Sequence, residues 1–491
     1  MKRAKMRALI SVTDKSGLDV FCRGLKKNGW ELVASGGTAA YLRSKNIPVK
    51  DLSRVTGFVK MLGGRVKTLH PMVFGGILAR AEDKADIKKF KLPLIDMVVT
   101  NFYTLKKGPG FIETIDVGGL SLLRAAAKNN KRVLPVCDTE DYPAVLKAIE
   151  SGHIDDELKK YLVVKSFDLC TRYNARIVDI LSPAKDFPEY MSLPLKKMMA
   201  LRYGENPHQK AAFYSDGSFP GKILQGKPLS YNNILDMEAA ILPVIRFSGG
   251  GCVIIKHTNP CGAAINKFQD KAYKDALDCD PVSAFGGIVS FNRKVTKKTA
   301  ARLVKHFFEV ICAPDFDKGA RKVLSKKKNL ILFKYRKWDS KLAVKRALGG
   351  YLVQEMKFPA IRFNEVTGKL TKSEKADVAF GLQVVFQAAS NSSLVVKDGK
   401  TIGIGPGQCC RIESVKLAVD RAKKNTRGNL KGAVMVSDGF FPFDDSVRAA
   451  AKAGIKVVAA PSGSIKDSLV AATAKKLGVK LAFINHRLFR H

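Results

Sequence analysis

The pair Lys256-His257, which closes the apolar run in IIKHTNPCGAA, carries the clearest chemical signal in the chain. A cation beside an imidazole disfavours the imidazolium and leaves a neutral ring able to accept a proton near pH 7. A satisfied structural histidine would read the same way, so both readings stand at this point. Upstream, LRYGENPHQ groups Arg202, Tyr203, Asn206 and His208. NPCG shares Pro-Cys with the zinc deaminase signature, which needs H-x-E and P-C-x-x-C. Here Gly-Ala-Ala follows Cys261 and no H-x-E precedes it, so no metal is expected.

A second group suits a phosphate. SGGT (Ser35, Gly36, Gly37, Thr38) sits where a strand should meet a helix, and its glycines let free N–H groups and hydroxyls face an anion. TDKSG, with Thr13, Asp14 and Lys15, follows the preceding strand, and adjacent parallel strands end at one edge. GGRVKTLHP adds Arg65, Lys67 and Thr68. Three such loops favour a phosphate site over a solvated basic surface. Further on lie NFY (Asn101 to Tyr103), Asp116 in IDVGG, and Lys128 at the end of LLRAAAK. Asp116 reads equally as a helix cap and Lys128 as a snorkelling side chain.

The elements that must position these residues alternate strand and helix. ALISV, ELVAS, DMVVTNFY and RVLPVCD read as strands with helices between them, the pattern of a parallel sheet covered on both faces. A charged helical stretch runs from about Tyr142 to Ile180. Pro183, Pro188, Pro194 and Pro207 mark a boundary between Leu181 and Pro207, which divides the chain into 1–195 and 196–491. GCVIIKH, FGGIVSF, SSLVV, GAVMVSD, IKVVAA and KLAFIN then resume the alternation, with Gly454 and Gly478 placed to end helices. No short-period repeat is present.

The 491 residues, 46% of them hydrophobic, suffice for two or three packed domains. Nine scattered cysteines without C-x-x-C fit free thiols in a reducing compartment. The basic start, MKRAKMRALISV, has too short an apolar run for a secretion signal, and no stretch reaches membrane-spanning length. A cytoplasmic location is expected. Lys and Arg number 85 against 44 acids, a formal charge of +41 that attracts nucleotides, polycarboxylates and RNA alike.

From about Ala8 to Tyr142, the SGGT loop, GGRVKTLHP and RAAAKN resemble the IMP cyclohydrolase domain, of methylglyoxal-synthase-like fold. The resemblance implies a proton-transfer role for Lys128, with Lys67, Tyr103 and Asp116 beside it. It also implies nucleotide contacts from Thr13, Asp14, Lys15, Ser35, Gly36, Gly37, Thr38, Arg65, Val66, Thr68, Thr100 and Asn101. Thr104-Leu105 replaces the Pro-Phe that commonly follows the family's Tyr, so the Tyr103 loop is expected to be set differently. Beyond the boundary, LRYGENPHQ, LSYNNILD, IKHTNPCGAA, DPVSAFGGIV, SNSS, IGIGPGQ, SDGFFPFDD, AAPSGS and RLFRH resemble, in order, the AICAR transformylase domain. That implies two cytidine-deaminase-like α/β subdomains without their metal, and a site completed in a homodimer. Arg202, Tyr203, His257, Gly286, Glu309, Asn391 and Arg411 are then expected at the ribonucleotide. Ile412, Phe440, Ser464, Ile465 and Arg487 are expected around the cosubstrate 10-formyltetrahydrofolate. Cys409 and Cys410 depart from the commoner form of their motif.

The implied chemistry is formyl transfer to AICAR, then dehydrative closure of FAICAR to IMP. The substrate amine is conjugated to a carboxamide, so a base must take its proton as the formyl carbon is attacked, which suits His257. Lys256 suits the charge developing on the formyl oxygen and the proton needed by the leaving nitrogen. Ring closure is intramolecular, so positioning can dominate. Two alternatives accompany this reading. One keeps formyl transfer and loses cyclohydrolase through the altered Tyr103 loop. The other gives the basic surface an RNA-binding role: Lys318 to Arg346 holds twelve Lys or Arg against Asp339 alone, with Phe333, Tyr335 and Trp338 interleaved, although a solvated surface is the better reading of such a stretch.

Overall fold

The computed structural model describes residues 5–58, 61–182, 187–216, 219–336 and 342–491. Pro183 and Trp338 lie outside the described residues. The chain folds as two units, Met1–Leu195 and Lys196–His491.

The first unit contains strands β1 (Arg7–Ser11), β2 (Glu31–Ala34), β3 (Lys50–Asp51), β4 (Met97–Thr100) and β5 (Leu134–Val136), in the order β3-β2-β1-β4-β5. All pairs are parallel. Alternate residues face opposite sides: Ala8, Ile10, Met97 and Val99 pack into one core, Leu9, Val33 and Val98 into another. Helices α1 (Leu18–Lys27) and α2 (Gly36–Ser44) begin where β1 and β2 end, and α3 (Gly118–Lys128) leads from β4 to β5. The expected helix from Tyr142 to Ile180 is two. Tyr142–Glu150 stops before Gly152, at φ +70°, and α4 (Asp156–Leu181) starts anew where the Asp155 carboxylate accepts from the Leu158 N–H.

The second unit repeats one arrangement twice. Helix α5 (Tyr231–Val244) precedes hairpin β6 (Gly251–Lys256) and β7 (Asn259–Ile265), then α6 (Gln269–Leu277), β8 (Ile288–Phe291), β9 (Val310–Ala313) and β10 (Ile331–Tyr335). The same order returns as α7 (Lys372–Val385), β11 (Ser393–Lys397), β12 (Lys400–Gly405), α8 (Arg411–Thr426), β13 (Val434–Ser437), β14 (Val457–Pro461) and β15 (Lys480–Ile484). The halves fuse where β7 meets β12, giving one sheet ordered β15-β14-β13-β11-β12-β7-β6-β8-β9-β10, with Phe363–Glu365 and Gly221–Gln225 at its edges.

The repetition reaches single residues. Helices α5 and α7 both open with a capping box, Ser230 with Asn233 and Thr371 with Glu374. Gly262 and Gly403 hold equivalent hairpin positions under the next helix; a Cβ there would meet Ala276 O at 1.9 Å and Ala418 O at 2.1 Å. One face of the sheet shares a core across both halves, while the other carries a separate core over each.

The basic segment loses two of the three rings on which the RNA reading drew. Phe333 and Tyr335 are 2% and 6% exposed on β10, within the core, so neither offers a ring for a base to stack on.

Candidate functional sites

In the first unit, the turns after β1, β2 and β4 meet at one sheet edge. The Asn101 side chain ties two of them: its oxygen accepts from the N–H groups of Thr13 (2.6 Å) and Asp14 (3.0 Å), and its amide donates to Asp14 O at 3.0 Å. Thr38 spends its hydroxyl on structure, accepting from Val12 N–H at 3.2 Å and donating to Val12 O at 3.1 Å. Ser35 is the N-cap of α2 and its side chain caps nothing. The Lys67 ammonium lies 3.6 Å from where a Gly36 Cβ would be, which brings a cation to the α2 N-terminus. These groups form an anion cradle. Thr100 Oγ1 is buried at the same edge without a partner among the described residues. Arg65 is exposed and bonded to Glu113 at 3.1 Å.

Asp116 meets the cap reading and makes one bond more. Its Oδ1 accepts from Gly119 N–H at 2.7 Å, capping α3, while its own N–H donates to Tyr173 Oη of α4 at 2.8 Å. Burial raises its pKa, and the amide donors Gly119 and Tyr103 pull against that rise. The Tyr103 side chain is 55% exposed beside it. Thr68 Oγ1 would sit 2.8 Å from a Cβ on Gly118, so the start of α3 needs glycine to approach the Lys67 loop. Lys128 is not brought to this cluster. It ends α3, about 15 Å along the helix axis from Gly118.

In the second unit, His257 and Thr258 join β6 to β7 with φ of 52° and 62°. This left-handed pair forms a tight hairpin turn without glycine, a strain on the order of 1–3 kcal/mol per residue. The Asp236 carboxylate on α5 holds the turn, accepting from His257 N–H at 3.2 Å and Thr258 N–H at 2.6 Å. Burial raises the pKa of Asp236, opposed by these donors and by the nearby His257. Lys256 Nζ donates to Phe285 O at 2.7 Å, next to Gly286, whose φ is +74°. Glu309, at the start of the neighbouring β9, pairs with Lys227 at 2.5 Å. Arg202 stacks over Tyr203, 4.9 Å from its centroid, and Tyr231 N–H at the head of α5 donates to Tyr203 O.

Hydrogen bonds carry this turn into the second half. Asn259 Oδ1 accepts from Ala389 N–H at 2.9 Å, and Gln387 Nε2 donates to Thr258 O at 3.3 Å. The segment continues to Asn391, whose side chain donates to Gln408 O and Cys409 O. Arg411 is 7% exposed and its Nη1 donates to Ser392 O, Ser437 Oγ and Asp438, so that face of the guanidinium is committed inside the protein. Asp438 is fully buried and also accepts from Ser390 Oγ at 2.5 Å and Ser392 N–H at 3.1 Å. Ile412 follows Arg411, and Phe440 lies two residues beyond this aspartate. Ile465, 101% exposed, tips the loop after β14, where Ser464 N–H donates to Asp467. Arg487 lies over Phe489 at 5.3 Å. The C-terminal segment closes on the same place: Leu488 N–H donates to Asp438 O, and Arg490 Nη1 donates to Gln387.

The arrangement has an apolar margin, a buried ion pair, and a lysine–histidine pair reached through one hydrogen-bonded segment. No group of three or more His, Cys, Asp or Glu able to hold a metal occurs among the described residues. Asp236, Gln387, Asp438 and Arg490 were not singled out from sequence. Asp236 and Asp438 stand inside recognised motifs, LSYNNILD and SDGFFPFDD, but no local spacing marks them as site residues.

The two units thus define an α/β protein with basic loops gathered at one sheet edge of the first unit and a lysine–histidine pair at a sheet edge of the second. The AICARFT/IMPCHase bienzyme family matches residues 126–421 and the MGS-like domain family residues 17–131. The chain is 42% identical to "Bifunctional purine biosynthesis protein PurH" of Aquifex aeolicus (strain VF5), over 99% of this chain and 100% of the relative. It is 43% identical to the protein of the same name from Clostridium perfringens (strain SM101 / Type A), over the same shares. The chain belongs to the AICARFT/IMPCHase bienzyme family, and its activities are AICAR formyltransferase and IMP cyclohydrolase.

Proposed function

We propose that the first unit closes the ring and the second transfers the formyl group, with His257 as the base of the transfer. The observation that carries this reading is the Asp236-held turn presenting His257 beside Lys256. When bound, 10-formyltetrahydrofolate supplies the formyl carbon. Arg202, Tyr203, Gly286, Glu309 and Asn391 hold the ribonucleotide, and Ile412, Phe440, Ser464, Ile465 and Arg487 surround the folate. His257 accepts the amine proton as the new C–N bond forms. Lys256, steadied by Phe285 O, neutralises the charge that develops on the formyl oxygen and returns a proton to the departing nitrogen. Arg411 fixes Asp438 and the segment carrying Asn391.

For ring closure, the turns of Thr13 to Lys15, Ser35 to Thr38, Arg65 to Thr68 and Thr100-Asn101 hold the nucleotide. Tyr103, Asp116 and Lys67 move the protons of the dehydration. Asp116, its pKa raised by burial, suits proton transfer better than an ordinary surface carboxylate. The family also assigns this work to Lys128. Lys128 ends α3, about 15 Å along its axis from the Gly118 end that meets the Lys67 loop, so single substitutions decide between the two lysines. The protein is proposed to act as a cytoplasmic homodimer, and sedimentation of an active monomer would overturn the dimer.

The test of the main assignment is His257→Ala. Formyl transfer should be nearly abolished, while closure of supplied FAICAR continues at the wild-type rate. Equal loss of both in a folded variant refutes the division of labour.

A further inference from the structure

The duplicated fold supplies its own control experiment. In the first half, Asp236 of α5 accepts from His257 N–H and Thr258 N–H, 21 and 22 residues further along. In the second, Asp377 of α7 accepts from Asp398 N–H at 2.9 Å and Gly399 N–H at 2.7 Å, again 21 and 22 residues along. Both carboxylates occupy the same position after their capping boxes, and both turns have positive φ.

The two clamps hold different things. Asp398-Gly399 is the residue pair that a left-handed hairpin turn favours, so the second turn would form with little help. His257-Thr258 is a poor choice, with a β-branched residue at φ 62°. The first turn therefore depends on its carboxylate far more than the second, and what it presents is the imidazole. No other carboxylate accepts from either amide among the described residues. The remaining side-chain holds on the turn, from Thr258 Oγ1 and Asn259 to His257 O and from Gln387 to Thr258 O, act on carbonyls.

We propose that Asp236 is a positioning residue for formyl transfer, holding the 257–258 turn so that His257 meets the substrate amine. This rests on the reading of His257 as the base. Asp236 touches no reacting atom; it acts through the main-chain N–H groups it receives.

The experiment compares Asp236→Asn, Asp236→Ala and His257→Ala with Asp377→Asn, which loosens the matching clamp where no histidine is presented. Formyl transfer is followed with enzyme in excess so that residual rates are measurable. Thermal midpoint and AICAR binding are recorded for each variant. Asp236→Asn should lower kcat about 10- to 100-fold while KM for AICAR changes less than about 3-fold, the signature of a displaced catalytic group. Asp236→Ala should fall further. Asp377→Asn should keep wild-type kcat and KM at a comparable shift in thermal midpoint. In the His257→Ala background, Asp236→Asn should have no further effect, since the group it positions is gone. Independent, multiplying effects in the double variant overturn the inference, as does an equal kcat loss in Asp377→Asn. A near-normal His257→Ala overturns the underlying reading, and the inference with it; an impaired His257→Ala with multiplying effects overturns the inference alone.

Discussion

Asp438→Asn tests whether the buried ion pair organises the transformylase site. The substitution keeps the shape of the side chain and removes its charge beneath Arg411. Asp438 is 0% exposed and Arg411 7%, so water cannot take over the lost partner. Breaking such a pair from one side costs about 3–5 kcal/mol, chiefly the uncompensated charge left behind. Ser390 Oγ and Ser392 N–H also donate to this carboxylate, and a neutral amide oxygen replaces a charge-assisted acceptor for at most part of the set. Local opening of β11 should become about a hundred- to a few-thousand-fold more frequent. The assay is native-state hydrogen exchange at the amides of Ser393 to Val396, with β1 of the first unit as internal reference. Formyl transfer should fall while FAICAR closure holds. Arg411→Met alone should cost a similar amount, and the double variant less than the sum, because no lone charge remains. Single costs below about 1 kcal/mol that simply add would mean that the pair behaves like an exposed ion pair, and the reasoning fails.

Three further outcomes are expected. Lys67→Ala should slow FAICAR closure at least about tenfold through lost charge stabilisation, and Lys128→Ala should slow it less, measured by IMP formation with FAICAR binding determined separately; a larger effect at Lys128 would transfer the proton role there. Burial raises the folded pKa of Asp116 above 3.8, so the stability this group contributes is complete below 3.8 and lost as pH rises through its folded value. The stability of wild type minus that of Asp116→Asn should therefore fall across that window and level off above it; a difference that rises with pH refutes the burial argument. Finally, a +41 protein should attract its anionic ligands from a distance, and salt should screen this as the Debye length drops from about 10 Å at 0.1 M to about 3 Å at 1 M. Salt titrations should lower kcat/KM more than kcat, and more steeply for a polyglutamylated folate than for the monoglutamate; equal slopes would show that the excess charge does not steer substrate.

Much of the architecture is legible where periodicity and punctuation agree. The expected strands ALISV, ELVAS and SSLVV differ from β1, β2 and β11 by one residue at each end or less, and Gly454 and Gly478 take the positive φ that ends a helix. Strands β7 and β12 escape because Pro260, Gly262, Gly403 and Gly405 read as turn residues. Three of these are glycines for a different reason: a Cβ on Gly262, Gly403 or Gly405 would strike the backbone of the helix above. Val310 to Ala313 escapes because four apolar residues have no period to read. The site divides similarly. Lys256 and His257, the proposed catalytic pair, are marked in the sequence by adjacency, whereas Asp236 lies on a helix 21 residues earlier and shows only when the hairpin folds back upon it.

The duplication also explains why no single stretch spells out the proposed transformylase site. Strand β6 ends at the turn bearing His257, and β8, antiparallel to it, begins beside that end, so Lys256 reaches Phe285 O. In the second half, β11 starts at this edge, and its antiparallel neighbour β13 ends there, delivering Asp438 and Phe440. The fused sheet thus sets the first half's entry loops against the second half's exit loops. The opposite edge receives the converse pairing, with Asp398-Gly399 in place of His257-Thr258. A hairpin turn that violates local preference on one edge, matched by a compliant turn on the other, is the mark expected of a functional position, because the fold itself demands only the compliant one. The histidine is held there against its conformational preference, which agrees with the proposed role of His257 in formyl transfer.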